Sequence, residues 1–195
     1  MSFIEPITLA GDLVTLEPLS PSHLDGLTDA VRDGELWRLW YTSVPAPDRM
    51  HAEIAHRLVL QEQGSMLPFA LRRNDNGSLC GMTTYLHIDA ANKRLEIGAT
   101  WCAKSAQRTG INTEAKLMLL THAFETLQCI AVEFRTHWMN HQSRTAIARL
   151  GAKQDGVLRN HQRMPDGSYR DTVVFSIIAS EWATVKRHLL HQLGR

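Results

Sequence analysis

Residues 107–115 read Gln-Arg-Thr-Gly-Ile-Asn-Thr-Glu-Ala. An apolar run typical of a strand, residues 95–101, precedes them, and an amphipathic helical pattern from Thr113 to Leu127 follows. The first amides of a helix lack internal partners and lie at the positive end of the helix dipole. The order strand, loop, helix therefore predicts an anion site, with phosphate or pyrophosphate as its natural ligand. Gly110 would let the backbone approach that ligand closely, and Arg108 would add a charged donor.

The composition is that of an ordinary globular protein. Of the 195 residues, 44% are hydrophobic and 21% are charged, and the formal net charge is +1. We therefore expect one domain over residues 1–195, with neither a nucleic-acid partner nor a membrane partner. No apolar run approaches the roughly 20 residues of a membrane span. Residues 1–6 lack a basic region followed by an apolar run, so we expect no signal peptide.

The cysteines and histidines show no metal-binding pattern. Cys80, Cys102 and Cys129 are odd in number, have no metal-type spacing and lie in apolar surroundings. We interpret them as buried free thiols of a cytoplasmic protein. The ten histidines include no pair with convincing zinc spacing, so we expect no metal.

Hydrophobic periodicity and turn signals predict an alternating α/β chain. Strands are expected at residues 12–18, 67–73, 79–88, 94–101, 130–138, 157–164 and 169–178. Helices are expected from Ser20-Pro21 onward and at residues 48–63, 113–127, 140–150 and 180–193. The predicted order is β-α-α-β-β-β-α-β-α-β-β-α, with no repeat and no interdomain linker.

This order, with two local motifs, resembles the GNAT (GCN5-related) N-acetyltransferases. The first motif is the loop, where the family pattern is Gln/Arg-x-x-Gly-x-Gly/Ala. Gln107, Gly110 and Asn112 occupy its three positions, and Asn112 departs from the usual Gly or Ala. The second is Asn140-His141-Gln142-Ser143 with the ending Leu150-Gly151-Ala152. It is similar to the RimJ/RimL-like branch, the ribosomal-protein N-terminal alanine and serine acetyltransferases.

The resemblance implies a fold, a donor and an acceptor class. The fold would be a mixed, mostly antiparallel twisted sheet flanked by helices. The activity would be direct transfer of an acetyl group from acetyl-CoA to a primary amine, either a protein N-terminus or a small amine. The residues implied to contact acetyl-CoA are Thr100, Trp101, Cys102, Ala103, Gln107, Arg108, Thr109, Gly110, Ile111, Asn112, Thr113, Asn140 and Ser143.

Two residues are predicted to take part in the chemistry. Glu96 interrupts an apolar strand, where burial would raise the pKa of a carboxyl group, and it is the predicted general base. The alternative is that Glu96 is a surface partner of Arg94 or Arg135, with His87 and Glu133 as rival bases. Ser143, one turn after Asn140, is predicted by the resemblance to donate to the leaving sulfur. Asn140 is also a good N-cap, so Ser143 could simply lie near a helix start.

Aromatic residues are predicted on the acceptor side. Trp37, Trp40 and Tyr41 lie between the first two helices, a segment that in this fold overhangs the acceptor groove. They could bind an amine by cation–π contact or pack on the sheet. Trp138 and His87 are the other predicted acceptor-side residues.

Two further alternatives stay open at this stage. The chain could be an acyl-CoA-binding or regulatory module that has lost turnover, because Asn112 is unusual and the base is uncertain. A covalent route through Cys102 is less attractive, since nothing nearby in sequence activates its thiol. The terminal helix and last hairpin are compatible with a homodimer.

Overall fold

A computed structural model describes residues 3–195. Its strands are β1 (Leu9–Ala10), β2 (Val14–Pro18), β3 (Met66–Arg73), β4 (Leu79–Asp89), β5 (Arg94–Cys102), β6 (Ala131–His137), β7 (Lys153–Arg163) and β8 (Tyr169–Ile178). Its α-helices are α1 (Leu24–Arg32), α2 (Met50–Glu62), α3 (Ile111–Thr121), α4 (His141–Arg149) and α5 (Trp182–Gln192). The predicted order of elements is confirmed, and the two-residue strand β1 precedes it.

The strands form one sheet with helices on both faces. Within residues 3–195 the strand order is β1-β2-β3-β4-β5-β6-β8-β7, and every neighbouring pair is antiparallel except β5 and β6. Helices α3 and α5 pack on one face through residues such as Leu119 and Leu189. Helices α1 and α2 pack on the other through residues such as Leu27 and Ile54. The predicted mixed, mostly antiparallel α/β sheet is confirmed.

β5 and β6 pair over a short stretch at their amino-terminal ends and then separate. Their parallel register runs only from Arg94 opposite Ala131 to Glu96 opposite Glu133. Ala99 has a φ of 47°, and the register of β5 against β4 shifts between Met82 and Thr84. This bulge kinks β5, and bulges of this kind bend a strand. Beyond residue 96 the two strands separate, which leaves a V-shaped cleft between their carboxyl ends.

Two elements differ most from their predicted bounds. The helix predicted at 113–127 starts at Ile111 and gives way after Thr121 to a π-helical segment, in which the Leu127 N–H bonds the His122 carbonyl. β7 starts at Lys153, before the predicted residue 157, because its residues pair with β8 although most are polar and exposed. Tertiary pairing there overrides a weak apolar pattern.

Two negative findings apply to the described residues. No helix within residues 3–195 is long and apolar enough to cross a membrane. In the same range, no group of three or more His, Cys, Asp or Glu side chains is arranged to hold a metal ion.

Candidate active site

The loop before α3 presents main-chain donors. Arg108 and Gly110 have φ values of 62° and 88°, in the left-handed region that favours glycine. α3 begins directly after Gly110, which has no side chain to cap it, so the first N–H groups of the helix find no acceptor on that residue. A Cβ on Gly110 would also lie 3.0 Å from the Leu13 Cδ1 atom. The loop therefore needs glycine for both backbone conformation and space, and it has the geometry of an anion site.

Gln107 ties this loop to both sides of the cleft. Its Nε2 donates to the Cys102 carbonyl at the end of β5, at 3.1 Å. Its Oε1 accepts from Gln142 Nε2 at 3.4 Å, and Gln142 lies in the first turn of α4. Within the loop, the Thr109 hydroxyl donates to the Ala106 carbonyl at 2.6 Å. The side chain of the first motif position thus bridges the mouth of the V.

A buried carboxylate anchors α3 from behind. Glu114 accepts the backbone N–H groups of Asp12, Leu13 and Val14, the last at 3.0 Å, and also the Arg195 guanidinium. Burial acts to raise the pKa of Glu114, but the guanidinium and the three amides hold the pKa below its usual value. Glu114 therefore stays ionised and fixes the start of α3 against the β1–β2 turn.

Lys116 lies under the bulge of β5 and was not identified from the sequence. It is 4% exposed, and its Nζ donates to the Thr100 hydroxyl at 2.7 Å and to the Thr83 hydroxyl at 2.9 Å. Among residues 3–195 no carboxylate forms an ion pair with it, and burial lowers the pKa of Lys116 to about 7. The signal in the sequence was a lysine inside the apolar run 115–120.

Several predicted cofactor contacts have side chains in the core. Trp101 and Ala103 pack with α1 and α2, while Cys102 and Ile111 pack on the opposite face. These residues can offer only main-chain groups to a ligand in the cleft. Burial raises the pKa of the Cys102 thiol to about 11, so the thiol stays protonated. Asn112 and Thr113 are half-buried in the first turn of α3.

Asn140 and Ser143 start α4 at the open side of the cleft. The Asn140 Oδ1 accepts the Ser143 N–H at 3.0 Å, which makes Asn140 the N-cap of the helix. The Ser143 side chain is half-buried, and its hydroxyl makes no hydrogen bond within the described part of the chain. That hydroxyl is available to a ligand.

Glu96 occupies the base of the V. It is 5% exposed, and its Oε2 lies 2.8 Å from His87 Nδ1 and 3.5 Å from Arg135 Nε. A Cβ on Gly98 would lie 2.5 Å from its Oε1, so the carboxylate lies over Gly98, next to the bulge. Burial raises the pKa of Glu96, while His87 and Arg135 act in the opposite direction. His87 adopts a φ of 46°, an uncommon conformation for a non-glycine residue.

Glu133 is the poorer base of the two carboxylates. It pairs with the guanidinium of Arg94 and, at 2.9 Å, with that of Arg135. Burial acts to raise the pKa of Glu133, but the two guanidiniums hold it below the usual value. A cavity of about 190 Å³ lies here, and it is lined by His87, Asp89, Arg94, Leu95, Glu96, Glu133 and Arg135.

The aromatic residues separate into two groups. Trp40 is 56% exposed and meets Tyr41 and His137 edge-on, with ring centroids 5.5 and 5.2 Å away. Trp37 instead packs against the core under α1 and α2. Trp138 carries the Arg144 guanidinium 4.1 Å over its ring, beside α4. Of the predicted aromatic residues, Trp40 and Tyr41 therefore contact the ring of His137, a residue that the sequence did not identify.

A larger cavity lies away from this chemistry. It measures about 470 Å³ and lies between α1 and the β3–β4 hairpin, with Asp29, Asp33, Arg72 and Arg73 in its lining. Neither Glu96 nor Ser143 contributes to it. We place the site in the V-shaped cleft between β5 and β6, because the buried Glu96 lies at its base beside the bulge. At its open end, Gln107 joins the end of β5 to the start of α4.

Comparison with known proteins identifies the family. Residues 14–153 match the family described as "Acetyltransferase (GNAT) domain". A curated Bacillus subtilis (strain 168) protein named "Putative ribosomal N-acetyltransferase YdaF" is 36% identical over 107 residues, which are 55% of this chain and 57% of that protein. That alignment spans little more than half of the relative's length.

Two solved structures extend the likeness over nearly the whole chain. A GCN5-related N-acetyltransferase from Brucella melitensis is 27% identical with a TM-score of 0.86, covering 96% of this chain and 86% of that one. RimJ of Mycobacterium smegmatis in complex with CoA-disulfide is 25% identical with a TM-score of 0.79, covering 97% and 96%. The family match, the V between β5 and β6 and the loop at 107–112 agree, and the chain belongs to the GNAT acetyltransferase family.

Proposed function

We propose that this protein transfers an acetyl group from acetyl-CoA to a primary amine by direct attack within a ternary complex. The observation that carries the proposal is the V-shaped cleft, which has an uncapped helix start at its mouth and the buried Glu96 at its base. Family membership supports the same reaction.

The donor side would be held mainly by the backbone. The first amides of α3, with Gln107, Arg108 and Thr109 in the loop, would bind the pyrophosphate of acetyl-CoA. The separated edge of β5 from Ala99 to Ala103 would pair with the pantetheine arm and polarise the thioester carbonyl. The absence of a side chain at Gly110 supports this assignment, because the chain can then approach the phosphates.

Glu96 would act as the general base. In the transfer the amine nitrogen attacks the thioester carbon, a C–N bond forms, the C–S bond breaks, and the amine proton passes to Glu96 directly or through water. Its raised pKa brings the carboxylate closer to the basicity that this step needs. The Ser143 hydroxyl would donate a hydrogen bond to the departing thiolate.

The other hypotheses receive less support. A covalent route needs a thiolate, and the buried Cys102 has its pKa raised to about 11. A module without turnover would not need a desolvated carboxylate beside the bulge. The acceptor would be a protein amine, as the name of the Bacillus subtilis relative indicates for that protein. A small amine is the alternative.

We retain two further proposals about the protein's setting. Three buried free cysteines are compatible with the reducing cytoplasm. A homodimer is compatible with the exposed edge strand β7, whose outer backbone groups are open to a second copy.

The test is a thiol-release assay with acetyl-CoA and a panel of peptides and small amines, with the product identified by mass spectrometry. Wild-type protein should release CoA only when an acceptor is present, and the acceptor should gain one acetyl group. Saturable acetyl-CoA binding without turnover across the panel would contradict the proposal in favour of the binding module.

A further inference from the structure

The guanidinium of Arg170 lies near His137 and has no ionic partner among residues 3–195. Arg170 is the second residue of β8 and is half-buried, and its Nε donates to the Thr172 hydroxyl at 3.0 Å. This bond holds the guanidinium along β8, beside Thr172. Thr172 is opposite His137 in the β6–β8 register, so both side chains lie on the same face of the sheet. Within residues 3–195 no carboxylate pairs with Arg170, and its terminal nitrogens donate no hydrogen bond.

A buried donor without a partner lies beside it. His137 is 4% exposed, and its Nδ1 accepts the Met139 N–H at 3.0 Å. A neutral ring with this bond carries its proton on Nε2. That Nε2 is buried and has no partner among the described residues. Burial lowers the pKa of His137, which favours the neutral ring. A buried donor left unpaired destabilises the protein, so a bound ligand that accepts from it gains affinity.

The carboxylates at the base of the cleft have partners other than Arg170. Arg94 pairs with Glu133, Arg135 pairs with Glu133 and contacts Glu96, and Asp89 accepts from Asn92. Arg170 is a third guanidinium without a counter-ion, and Glu96 lies near enough for its charge to act on it. An acceptor that brings only an ammonium group would leave this cation unpaired. A guanidinium binds a carboxylate through two parallel hydrogen bonds, which suits the two free terminal nitrogens.

We propose that Arg170, assisted by the His137 Nε2–H, forms a carboxylate-binding subsite for the acceptor. The inference rests on the acetyl transfer proposed above and adds a substrate class: amines that carry a carboxylate a few bonds from the reactive nitrogen. The carboxylate could be the α-carboxylate of a free amino acid or an acidic side chain near the N-terminus of a peptide. The Trp40 ring meets the His137 ring edge-on, so an acceptor bound at His137 would lie next to Trp40.

The experiment compares acceptor pairs in which a carboxylate replaces an amide, with kcat/KM expressed per neutral amine because an α-carboxylate also changes the basicity of the amine. One pair is alanine and alaninamide. The other is Ala-Glu-Ala-Ala-amide and Ala-Gln-Ala-Ala-amide. Wild-type protein should favour the charged member of at least one pair by about 10–100-fold in kcat/KM, the effect of hydrogen bonds to a charged group. The pair that responds identifies the source of the carboxylate.

Variants then assign the preference to the subsite. Arg170→Gln should bring the ratio within each pair close to one, Arg170→Lys should keep part of it, and His137→Phe should lower it a few-fold. Arg187→Gln, an exposed arginine on α5, should leave the ratio at its wild-type value. Melting temperatures check that each variant is folded. A ratio that survives in a folded Arg170→Gln protein would overturn the proposal.

The inference can fail separately from the proposed function. If the wild-type protein acetylates both members of every pair equally well, the subsite is wrong and the transfer activity stands. If no amine is acetylated, the transfer proposal fails. The subsite is then tested by measuring peptide binding with calorimetric titration. The CoA-saturated wild-type protein should then bind N-acetyl-Ala-Glu-Ala-Ala-amide more tightly than the Gln peptide, and Arg170→Gln should remove the difference. Equal binding would overturn the subsite.

Discussion

The two sides of the cleft present different groups to a ligand: main-chain groups on one side and side chains on the other. The proposed cofactor side, formed by residues 103–113 with the starts of α3 and α4, presents main-chain groups fixed by φ values of 62° at Arg108 and 88° at Gly110. The proposed acceptor side, formed by Glu96, His137, Arg170 and Trp40, presents side chains from β5, β6, β8 and the segment between α1 and α2. A ligand common to the whole family can be held by backbone. A ligand that varies among members is selected by side chains, which a single substitution can change.

The largest expected effect lies on the acceptor side. Glu96→Gln should lower kcat/KM by about 10²–10⁴-fold, because the amine loses its base, while acetyl-CoA affinity stays unchanged. The pKa of Glu96 is raised, so the wild-type rate should climb as the pH rises through that pKa and the carboxylate forms. The variant should lack this acidic limb. Steady-state kinetics across pH with calorimetric titration of CoA measure both. If the variant keeps wild-type turnover, Glu96 is not the general base and His87 becomes the candidate.

A stability effect tests Lys116, which is buried beside the bulge of β5. Lys116 has a pKa of about 7 in the folded protein, against its ordinary value of 10.5, so between these values the unfolded chain binds a proton that the folded protein lacks. Stability should therefore rise with pH across this window. Lys116→Met should remove this dependence and stabilise the protein near neutral pH by as much as about 5 kcal/mol, less the lost hydrogen bonds.

Urea unfolding of both proteins at several pH values between 7 and 10.5 measures the Lys116 effect, since the difference between them isolates one group. Parallel pH curves for the two proteins would show that Lys116 is protonated inside the fold. The bulge would then hold a charged lysine next to the thioester site.

A glycine substitution separates backbone strain from ligand contact on the cofactor side. Gly110→Ala places a side chain at a φ of 88° and 3.0 Å from Leu13, and should weaken acetyl-CoA binding roughly tenfold. Gly167→Ala is the matched control, because Gly167 has a φ of 87° in the β7–β8 turn, where a Cβ would meet no atom within 4 Å. Titration of both variants should show a loss of affinity only for Gly110→Ala. Equal affinities would place the pyrophosphate elsewhere.

A smaller effect is expected at the sulfur. Ser143→Ala removes a hydroxyl that matters when charge develops on the leaving thiolate, so kcat should fall about 2–10-fold with little change in the amine KM. Thr145→Ala, exposed on the same helix, should leave both constants as they are. A rise in the acetyl-CoA KM alone would make Ser143 a binding residue.

The smallest effect concerns Trp40. Its ring is 56% exposed, so Trp40→Ala should leave the melting temperature nearly unchanged. The amine KM should rise about 2–5-fold through loss of cation–π and ring contacts, with acetyl-CoA affinity intact. Trp138→Ala, whose ring contacts Arg144, should spare the amine KM. The reverse pattern would shift the acceptor groove toward α4.

The same contrast explains what the sequence could predict. The order of elements, the loop at 107–112 and the start of α4 follow from local signals: periodicity, one glycine and one capping residue. The V itself could not be predicted from the residues, because it depends on where the pairing of β5 and β6 stops. The π-helical turn after Thr121 also has no signal that separates it from an α-helix.

The acceptor side was predicted only in part. Glu96 could be predicted because a carboxylate interrupts an apolar strand. Its contact with His87 could not be predicted, since His87 lies nine residues away on another strand. Trp37 and Tyr41 are four residues apart, yet the first packs in the core and the second meets His137. Arg170 and Lys116 carried no motif. Each was singled out because its charged group has no ionic partner among the described residues. That can be recognised only when the residues around it in the structure are known.

The long-range contacts of Glu114 lead us to expect that the cofactor side forms late in folding. Its hydrogen bond to the Val14 amide joins residues 100 positions apart, so a loop of that length must close before the bond forms. Loop closure on this scale costs entropy that local hairpins such as β7–β8 avoid. We expect the acceptor-side strands to pair early in refolding and the start of α3 to be fixed last. The ability to bind acetyl-CoA would then report completion of the fold.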